Sequence, residues 1–460
     1  MLKRYLGNRA LYRNLFAIAI PIIIQNGISN FVSLLDNIMV GQVGTNPMSG
    51  VSIVNGLLFV FNLCIFGASS GAGIFTAQFY GCKDDDGIRY TFRFKVLICM
   101  ILAALGCVLF LLGDELLIGL YLTGEGDAAA ATEVMAYGKR YLMLMLWGLF
   151  PFALGNAYSS TLRETGETVV PMVAGIAAML VNLVLNYILI FGHFGAPALG
   201  VEGAAIATTI SRYVELAIVA AWTHAHRDRN SFIRGAYTSM YIPARLLKDI
   251  TLKGMPLLVN EFLWASGMAI LNQCYSTCGL DVVPATNIAS TLYNVGSVVY
   301  IAMGSSVGII MGQMLGAGRG REEIQDTNGK LVAASVLFGG AFGIAMAAVS
   351  VTFPRIYNTT DSVRHLATAL ILLNSVILPF NSYTNATYFT LRSGGQTMVT
   401  FLFDSCFVWA FCVPLAYCLT RFTGIGIIPL FAICQATDLI KCALGAIMLK
   451  QGKWIQNLTA

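Results

Sequence analysis

The chain has 460 residues, of which 57% are hydrophobic and 11% charged, and its Lys and Arg exceed its Asp and Glu to give a net charge of +5. Soluble domains carry about 25% charged residues, so this composition excludes an ordinary soluble protein and indicates a polytopic membrane protein. The positive balance follows from the distribution of charge between loops, described next, and gives no reason to expect a nucleic-acid partner.

Twelve membrane-spanning helices are predicted, because apolar runs of about 20 residues recur from end to end without the period-2 alternation of barrel strands. Most Lys and Arg residues fall in the N-terminal lead, the even-numbered loops and the C-terminal tail. This bias predicts a multi-pass protein of the cell (inner or plasma) membrane with both termini cytoplasmic. The predicted spans are approximately 15–40, 51–78, 93–113, 137–160, 168–191, 200–222, 253–275, 283–313, 331–353, 365–390, 397–420 and 424–448.

The first predicted span carries a polar stripe that ends in a carboxylate. Gln25, Ser29, Ser33 and Asp36 share an arc of about 80° at 100° per residue, and Asn26 lies beside them. A carboxylate facing lipid is costly, so Asp36 is a candidate functional residue. The stripe indicates a helix that lines a wet substrate cavity, although Asp36 capping the outer helix end is an alternative.

Amides also recur in the fifth and tenth predicted spans. Asn182 and Asn186 lie one helical turn apart, where they either line a cavity or form hydrogen bonds between helices. Asn381, Asn385 and Tyr388 fall within an arc of about 60°. The second half of the chain is therefore predicted to have its own cavity-lining stripe.

Three further charged positions lie within predicted spans. Glu261 lies about 12 Å into the seventh span, where a sheltered carboxylate can bind and release a proton or be satisfied by a neighbouring amide. Asp404 and Lys441 lie at similar depth on consecutive helices, which predicts a structural ion pair with Asp438 as a competing partner for the lysine.

The two halves of the chain repeat each other. The segment "TLRETGET" at 161–168 returns as "TLRSGGQT" at 390–397, and "SSGAGIFTAQFYG" at 69–81 returns as "GSSVGIIMGQMLG" at 304–316. The glycine-rich stretch "GASSGAG" lies inside a predicted span and "GQMLGAGRG" lies at the cytoplasmic end of one, so helix packing and helix termination explain them better than nucleotide loops do. The repeats predict two pseudo-symmetric six-helix lobes around a central cavity. The predicted domains are an N-lobe (1–223, helices 1–6), a cytoplasmic connecting loop (224–252) and a C-lobe (253–460, helices 7–12).

Several segments together resemble the multidrug and toxic compound extrusion (MATE) family of cation-coupled exporters. They are "DNIMVGQVG" after the first span, "TLRETGET", "NLVLNYILIFGHFGAPALGVEGAAIAT" at 182–208, "GQMLGAG" and "IKCALGAIMLKQGKW". The resemblance covers essentially the whole chain. It implies a secondary antiporter, not an enzyme, that exports small organic compounds, typically cationic and amphipathic, in exchange for Na⁺ or H⁺ by alternating access. No cofactor is implied, and we expect the protein to function as a monomer in the lipid bilayer.

The resemblance also implies roles for individual residues. Asp36 matches the first-helix acid of the family's N-lobe cation site and is the candidate Na⁺ ligand, with Asn182 and Asn186 as its fifth-helix partners and Thr208 on the sixth. Glu261 resembles an acidic position on the seventh helix. Two departures stand out: some members have Asp where this chain has Asn186, and others have Asp at the position aligned with Asn381. Glu261 or Asp404 would then supply the C-lobe acid.

Other functions are compatible with the same architecture, and each requires particular residues. A flippase for lipid-linked saccharides should line its cavity with cations to hold pyrophosphate, and only Arg212 and Lys441 lie well inside predicted spans, away from the span ends, which argues against it. No phosphate loop and no H-E-x-x-H motif is present, so an ion gradient rather than ATP would drive transport. The sequence does not exclude a passive channel or a sensor.

Overall fold

The computed structural model of the chain describes residues 7–122, 128–279 and 281–459, which are almost entirely helical and contain no strand. Eleven helices in these ranges are long and apolar enough to cross a membrane, and a bent pair brings the number to twelve if it counts as one span. The all-α, twelve-span prediction is therefore confirmed.

The helices extend beyond the predicted spans at many of their ends. They are α1 (Arg9–Gly41), α2 (Thr45–Cys82), α3 (Asp85–Leu122), α4 (Ala128–Leu146), α5 (Leu149–Glu164), α6 (Val169–Phe191), α7 (Val201–Ala225), α8 (Ala244–Ser276), α9 (Val282–Gly316), α10 (Arg321–Val349), α11 (Asp361–Ser393), α12 (Thr397–Phe422) and α13 (Ile427–Gln451). Short 3₁₀ segments cover His193–Gly195, Ser231–Ile233 and Phe353–Ile356.

The fourth predicted span, 137–160, is not one continuous helix. It breaks between α4 and α5 with a bend of 49°. Carbonyl groups freed at such a break need partners because lipid offers none. Side chains of α7 supply them: Arg212 donates to the carbonyl of Gly148 at 3.3 Å, and Thr209 donates to that of Leu144 at 3.2 Å. The bend depends on these tertiary contacts, which is why a hydropathy window did not predict it.

Internal contacts divide the chain into two compact units. The first unit consists of Ile24–Thr76 and Asp84–Gly254, with an apolar core that includes Val54, Ile65 and Leu142. The second consists of the residues up to Ile23, Ala77–Lys83 and the residues from Met255 onward, and its core residues are grouped around Ile288, Leu370 and Leu430 and around Leu15, Met303 and Trp454.

The ends of the two repeated glycine-rich segments pack against each other inside the second unit. A Cβ atom added to Gly316 would lie 1.8 Å from the carbonyl oxygen of Gln78, and one added to Gly81 would lie 2.0 Å from that of Gln313. Only glycine permits this approach, and the contact is reciprocal between positions that repeat in the sequence. Helix packing therefore accounts for these glycines, as the sequence interpretation holds.

Several cations assigned to loops lie inside helices. The Lys95 side chain on α3 is fully buried and pairs with Glu164, and Arg392 on α11 is buried too. Arg93 is also buried and donates to the carbonyls of Gly235, Ala236 and Tyr241. Partners distant in sequence compensate these charges, so a local hydropathy count misplaces them. The sequence interpretation did not count these buried cations, so a scarcity of buried cations no longer argues against a flippase.

Candidate functional site

A chain of hydrogen bonds links three helices of the first unit. On α6, Asn186 donates through Nδ2 to Oδ1 of Asp36 on α1 at 2.5 Å and to Oδ1 of Asn182 at 3.0 Å. Asn182 in turn donates to Oγ1 of Thr208 on α7 at 3.2 Å. The structure therefore brings together the four residues predicted to couple the cation: Asp36, Asn182, Asn186 and Thr208.

One oxygen in this network has no partner. Asn186 is fully buried and Asn182 is 3% exposed, whereas Asp36 is half-buried. Asn186 makes both of its hydrogen bonds through the amide nitrogen. Its carbonyl oxygen, Oδ1, is buried and has no hydrogen-bond partner within the described residues. A buried acceptor without a donor is costly. An oxygen set of carboxylate, amide and hydroxyl groups is suited to a hard cation or a proton.

The sequence of α6 explains why the two amides point inward. From Ala174 onward the buried positions of this helix recur every four residues, which forms a single stripe. Small residues at two of these positions, Ala174 and Ala178, bring neighbouring helices close. On α7, a Cβ added to Gly203 would lie 2.6 Å from the carbonyl oxygen of Leu189, so α6 and α7 approach closely beside the network. This approach lets the short Asn182 side chain reach α7.

Two other predicted cavity residues of α1 lie apart from this network. Gln25 accepts a hydrogen bond from Arg163 of α5 at 3.4 Å, and Asn26 is half-buried. Among the described residues, no hydrogen bond joins either of them to Asp36. The polar stripe of α1 therefore contacts at least two different neighbours.

The predicted acid of the second unit, Glu261 on α8, is half-buried, and Arg392 and Asp404 are the charged groups that act on it. Its neighbour Asn260 is 2% exposed and donates to Oδ2 of Asp404 at 3.1 Å. Ser405 donates to Oδ1 of Asn260 at 2.7 Å. Asn260, which the sequence interpretation passed over, thus joins α8 to α12 one residue away from Glu261.

The predicted pairing of Asp404 with Lys441 and its alternative with Asp438 are both present. Nζ of Lys441 lies 3.7 Å from Oδ1 of Asp404 and 3.8 Å from Oδ1 of Asp438. The ammonium also lies over the ring of Phe407, 5.2 Å from its centroid. Two carboxylates thus share one buried lysine.

The predicted stripe of the tenth span, on α11, does not form a single network. Asn381 donates to the hydroxyl of Tyr293 at 2.8 Å, and Tyr388 packs edge-on against Phe389 with ring centroids 5.4 Å apart. Oδ1 of Asn385 is buried without a hydrogen-bond partner in the described part of the chain. The three side chains contact different neighbours within the second unit.

A polytopic all-α protein whose two units each bury charged and amide side chains has the architecture of a secondary membrane transporter. The sequence profile of the MatE family matches residues 21–188 and 256–418. The chain therefore belongs to the MATE family, which is a family of membrane transporters rather than enzymes.

Known relatives match along nearly the full length. The chain is 24% identical over 448 residues to a probable multidrug resistance protein NorM of Thermotoga maritima, covering 96% of this chain and 93% of the relative. It is 23% identical to the multidrug resistance protein PmpM of Pseudomonas aeruginosa, covering 91% and 86%. A solved multidrug resistance MATE family transporter in an outward-facing conformation superimposes with a TM-score of 0.84 at 18% identity, covering 98% of each chain.

Proposed function

We propose that the protein is a secondary antiporter that exports organic, cationic and amphipathic compounds in exchange for Na⁺ or H⁺. Membership of the MATE family and the multidrug resistance names of its relatives support this class of substrate. In this proposal the protein works as a monomer by alternating access, with both termini in the cytoplasm. The comparisons give no support to a saccharide flippase.

The observation that carries the proposal is the Asp36 network with its unpartnered oxygen. A coupling ion at Asp36 neutralises the only carboxylate of the network and gives Oδ1 of Asn186 a partner. Asn182 and Thr208 hold that amide in place through the two bonds behind it. The ion changes the hydrogen bonds between α1 and α6, so it favours one arrangement of α1 over another.

Efflux from vesicles under an imposed ion gradient tests the proposal. Full-length protein is reconstituted, and export of a fluorescent organic cation is driven by a Na⁺ gradient or by a pH gradient, each in turn. The gradient that drives accumulation identifies the ion. Asp36→Asn removes the carboxylate charge and is expected to lower ion-driven accumulation about tenfold or more, equivalent to about 1.4 kcal/mol.

Asp361→Asn is the matched control, because that carboxylate at the start of α11 is 87% exposed and its ion pair in the described part of the chain is with Arg364 on the same helix. We expect this variant to transport like the native protein. Native accumulation by Asp36→Asn would overturn the assignment of the ion site, and absence of gradient-driven accumulation by the native protein would overturn the antiport.

A further inference from the structure

The two aspartates and the lysine that meet between α12 and α13 carry an unbalanced charge. This set, Asp404, Asp438 and Lys441, is called here the Asp404 cluster. Lys441 is 8% exposed, and the carboxylate side chains of Asp404 and Asp438 are 26% and 20% exposed. When all three groups are ionised, one negative charge is in excess inside a membrane-spanning unit. Such a charge is costly unless a cation neutralises it.

The contact lengths show that the lysine does not satisfy either acid fully. At 3.7 and 3.8 Å, both ion pairs are longer than a hydrogen bond. The second oxygen of Asp404 accepts from Asn260, and α12 forms π-helical turns at Leu402–Cys406 and Val408–Cys412 around this point. π-Helical turns are rare and frequently occur at functional sites.

Among the described residues, Arg392 is a further cation of this region, and it acts on the carboxylate of Glu261. Arg392 and Glu261 together carry no net charge, so they leave the excess charge of the Asp404 cluster unchanged. Tyr293 and Tyr300 of α9 are hydrogen-bonded to each other at 3.2 Å beside the two aspartates. The titratable or charged groups that face the Asp404 cluster from α8, α9, α11, α12 and α13 are Glu261, Tyr293, Tyr300, Tyr388, Arg392, Cys412 and Cys442.

We propose that Asp404 and Asp438 together hold one exchangeable proton beside Lys441, forming an ion-binding site separate from Asp36. Protonation of either carboxylate leaves one aspartate paired with the lysine and makes the cluster neutral. A proton fits better than Na⁺, because the ammonium close to both carboxylates repels a metal ion, whereas a proton needs only one oxygen. The described residues also contain no group of three or more His, Cys, Asp and Glu side chains that could hold a metal.

The inference rests on the proposed antiport for its role in transport. Asn260 connects Asp404 to α8, so loss of the proton from Asp404 changes the hydrogen bond that joins α12 to the helix carrying Glu261. The second unit would then exchange a proton in step with substrate binding, while Asp36 binds the coupling ion in the first unit.

Covalent labelling with dicyclohexylcarbodiimide tests the site without relying on transport, because this reagent reacts with protonated carboxyl groups in apolar surroundings. Full-length protein in vesicles is labelled over a series of pH values, and the modified residues are located by mass spectrometry. We expect labelling of Asp404 or Asp438 that decreases as the pH rises. Absence of label at both residues, at every pH at which the protein is folded, would overturn the proposal.

Variants separate this proposal from a purely structural ion pair. In Asp438→Asn the remaining aspartate and lysine are already neutral together, so labelling of Asp404 should be lost, while Asp36→Asn should leave the cluster labelled as in the native protein. Unchanged labelling of Asp404 in Asp438→Asn would contradict a shared proton. Replacing choline chloride with NaCl at one pH should leave labelling unchanged, and protection by Na⁺ would contradict the assignment to a proton. Failure of the antiport would appear in efflux and leave the labelling intact.

Discussion

The two units bury their acidic groups in different ways. In the first unit a single carboxylate, Asp36, is held by amides and a hydroxyl, and no cation belongs to its hydrogen-bonded network. In the second unit two carboxylates, Asp404 and Asp438, share the ammonium of Lys441. Each set nevertheless carries one negative charge in excess when its groups are ionised.

This difference decides which ions each set can accept. The Asp36 network presents oxygen atoms and no competing ammonium, so it can accept either Na⁺ or a proton. The Asp404 cluster already contains a cation, so a proton is the better match for its remaining charge. The two repeated halves can therefore carry the same excess negative charge and yet accept different ions.

The largest expected effect is on the free energy of unfolding, and it distinguishes loss of the lysine from loss of one aspartate in the Asp404 cluster. Lys441→Met leaves two buried carboxylates without a cation and should lower the free energy of unfolding by about 3 kcal/mol. Asp438→Asn leaves a neutral Asp404–Lys441 pair and should change it by less than about 1 kcal/mol. Thermal or denaturant unfolding of both variants in the same detergent measures this contrast. Equal losses would contradict a cluster with one carboxylate in excess.

A smaller effect is expected on ion affinity in the first unit. Asn186→Ala removes the amide that donates to Asp36 and should cost about 1–3 kcal/mol, or about 5- to 150-fold in the ion concentration for half-maximal efflux. Asn46→Ala is the control, because it removes an amide that donates to Glu133 at an exposed position. An unchanged ion dependence in Asn186→Ala would separate Asp36 from coupling.

The smallest effect is expected at the far end of the hydrogen-bond chain. Thr208→Val removes the hydroxyl that accepts a hydrogen bond from Asn182 and should weaken ion binding by about 1 kcal/mol. This corresponds to about a fivefold higher ion concentration for half-maximal efflux. Thr208→Ser retains the hydroxyl and should restore the native value. If Thr208→Val behaves like the native protein, the network ends at Asn182 rather than at α7.

Much of the architecture could be predicted because hydropathy and helical spacing are local properties. The twelve spans follow from apolar runs, and the four-residue spacing of Asn182 and Asn186 places both amides on one face of α6. The hydrogen bond between Asn186 and Asp36 joins residues that are 150 positions apart in the sequence. Helical spacing could not predict this contact, whereas the family resemblance did predict it. The predicted lobe boundaries at 223 and 253 stay a prediction.

The remaining features depend on tertiary contacts. The bend at Gly148 requires Arg212 of α7, and the burial of Lys95 requires Glu164 on another helix. The π-helical turns of α12 alter the spacing on which helical-face arithmetic relies, so the surroundings of Asp404 could not be worked out at 100° per residue. Local patterns contain none of these partners.

Counting the ions released when substrate binds tests the role of Asp36 most directly. A cationic organic substrate is added to the purified protein, and released protons or Na⁺ are measured per substrate bound, for the native protein and for Asp36→Asn. We predict that Asp36→Asn binds the substrate but releases one ion fewer than the native protein. The same number of ions from both proteins would contradict Asp36 as the reversible binding site of the coupling ion.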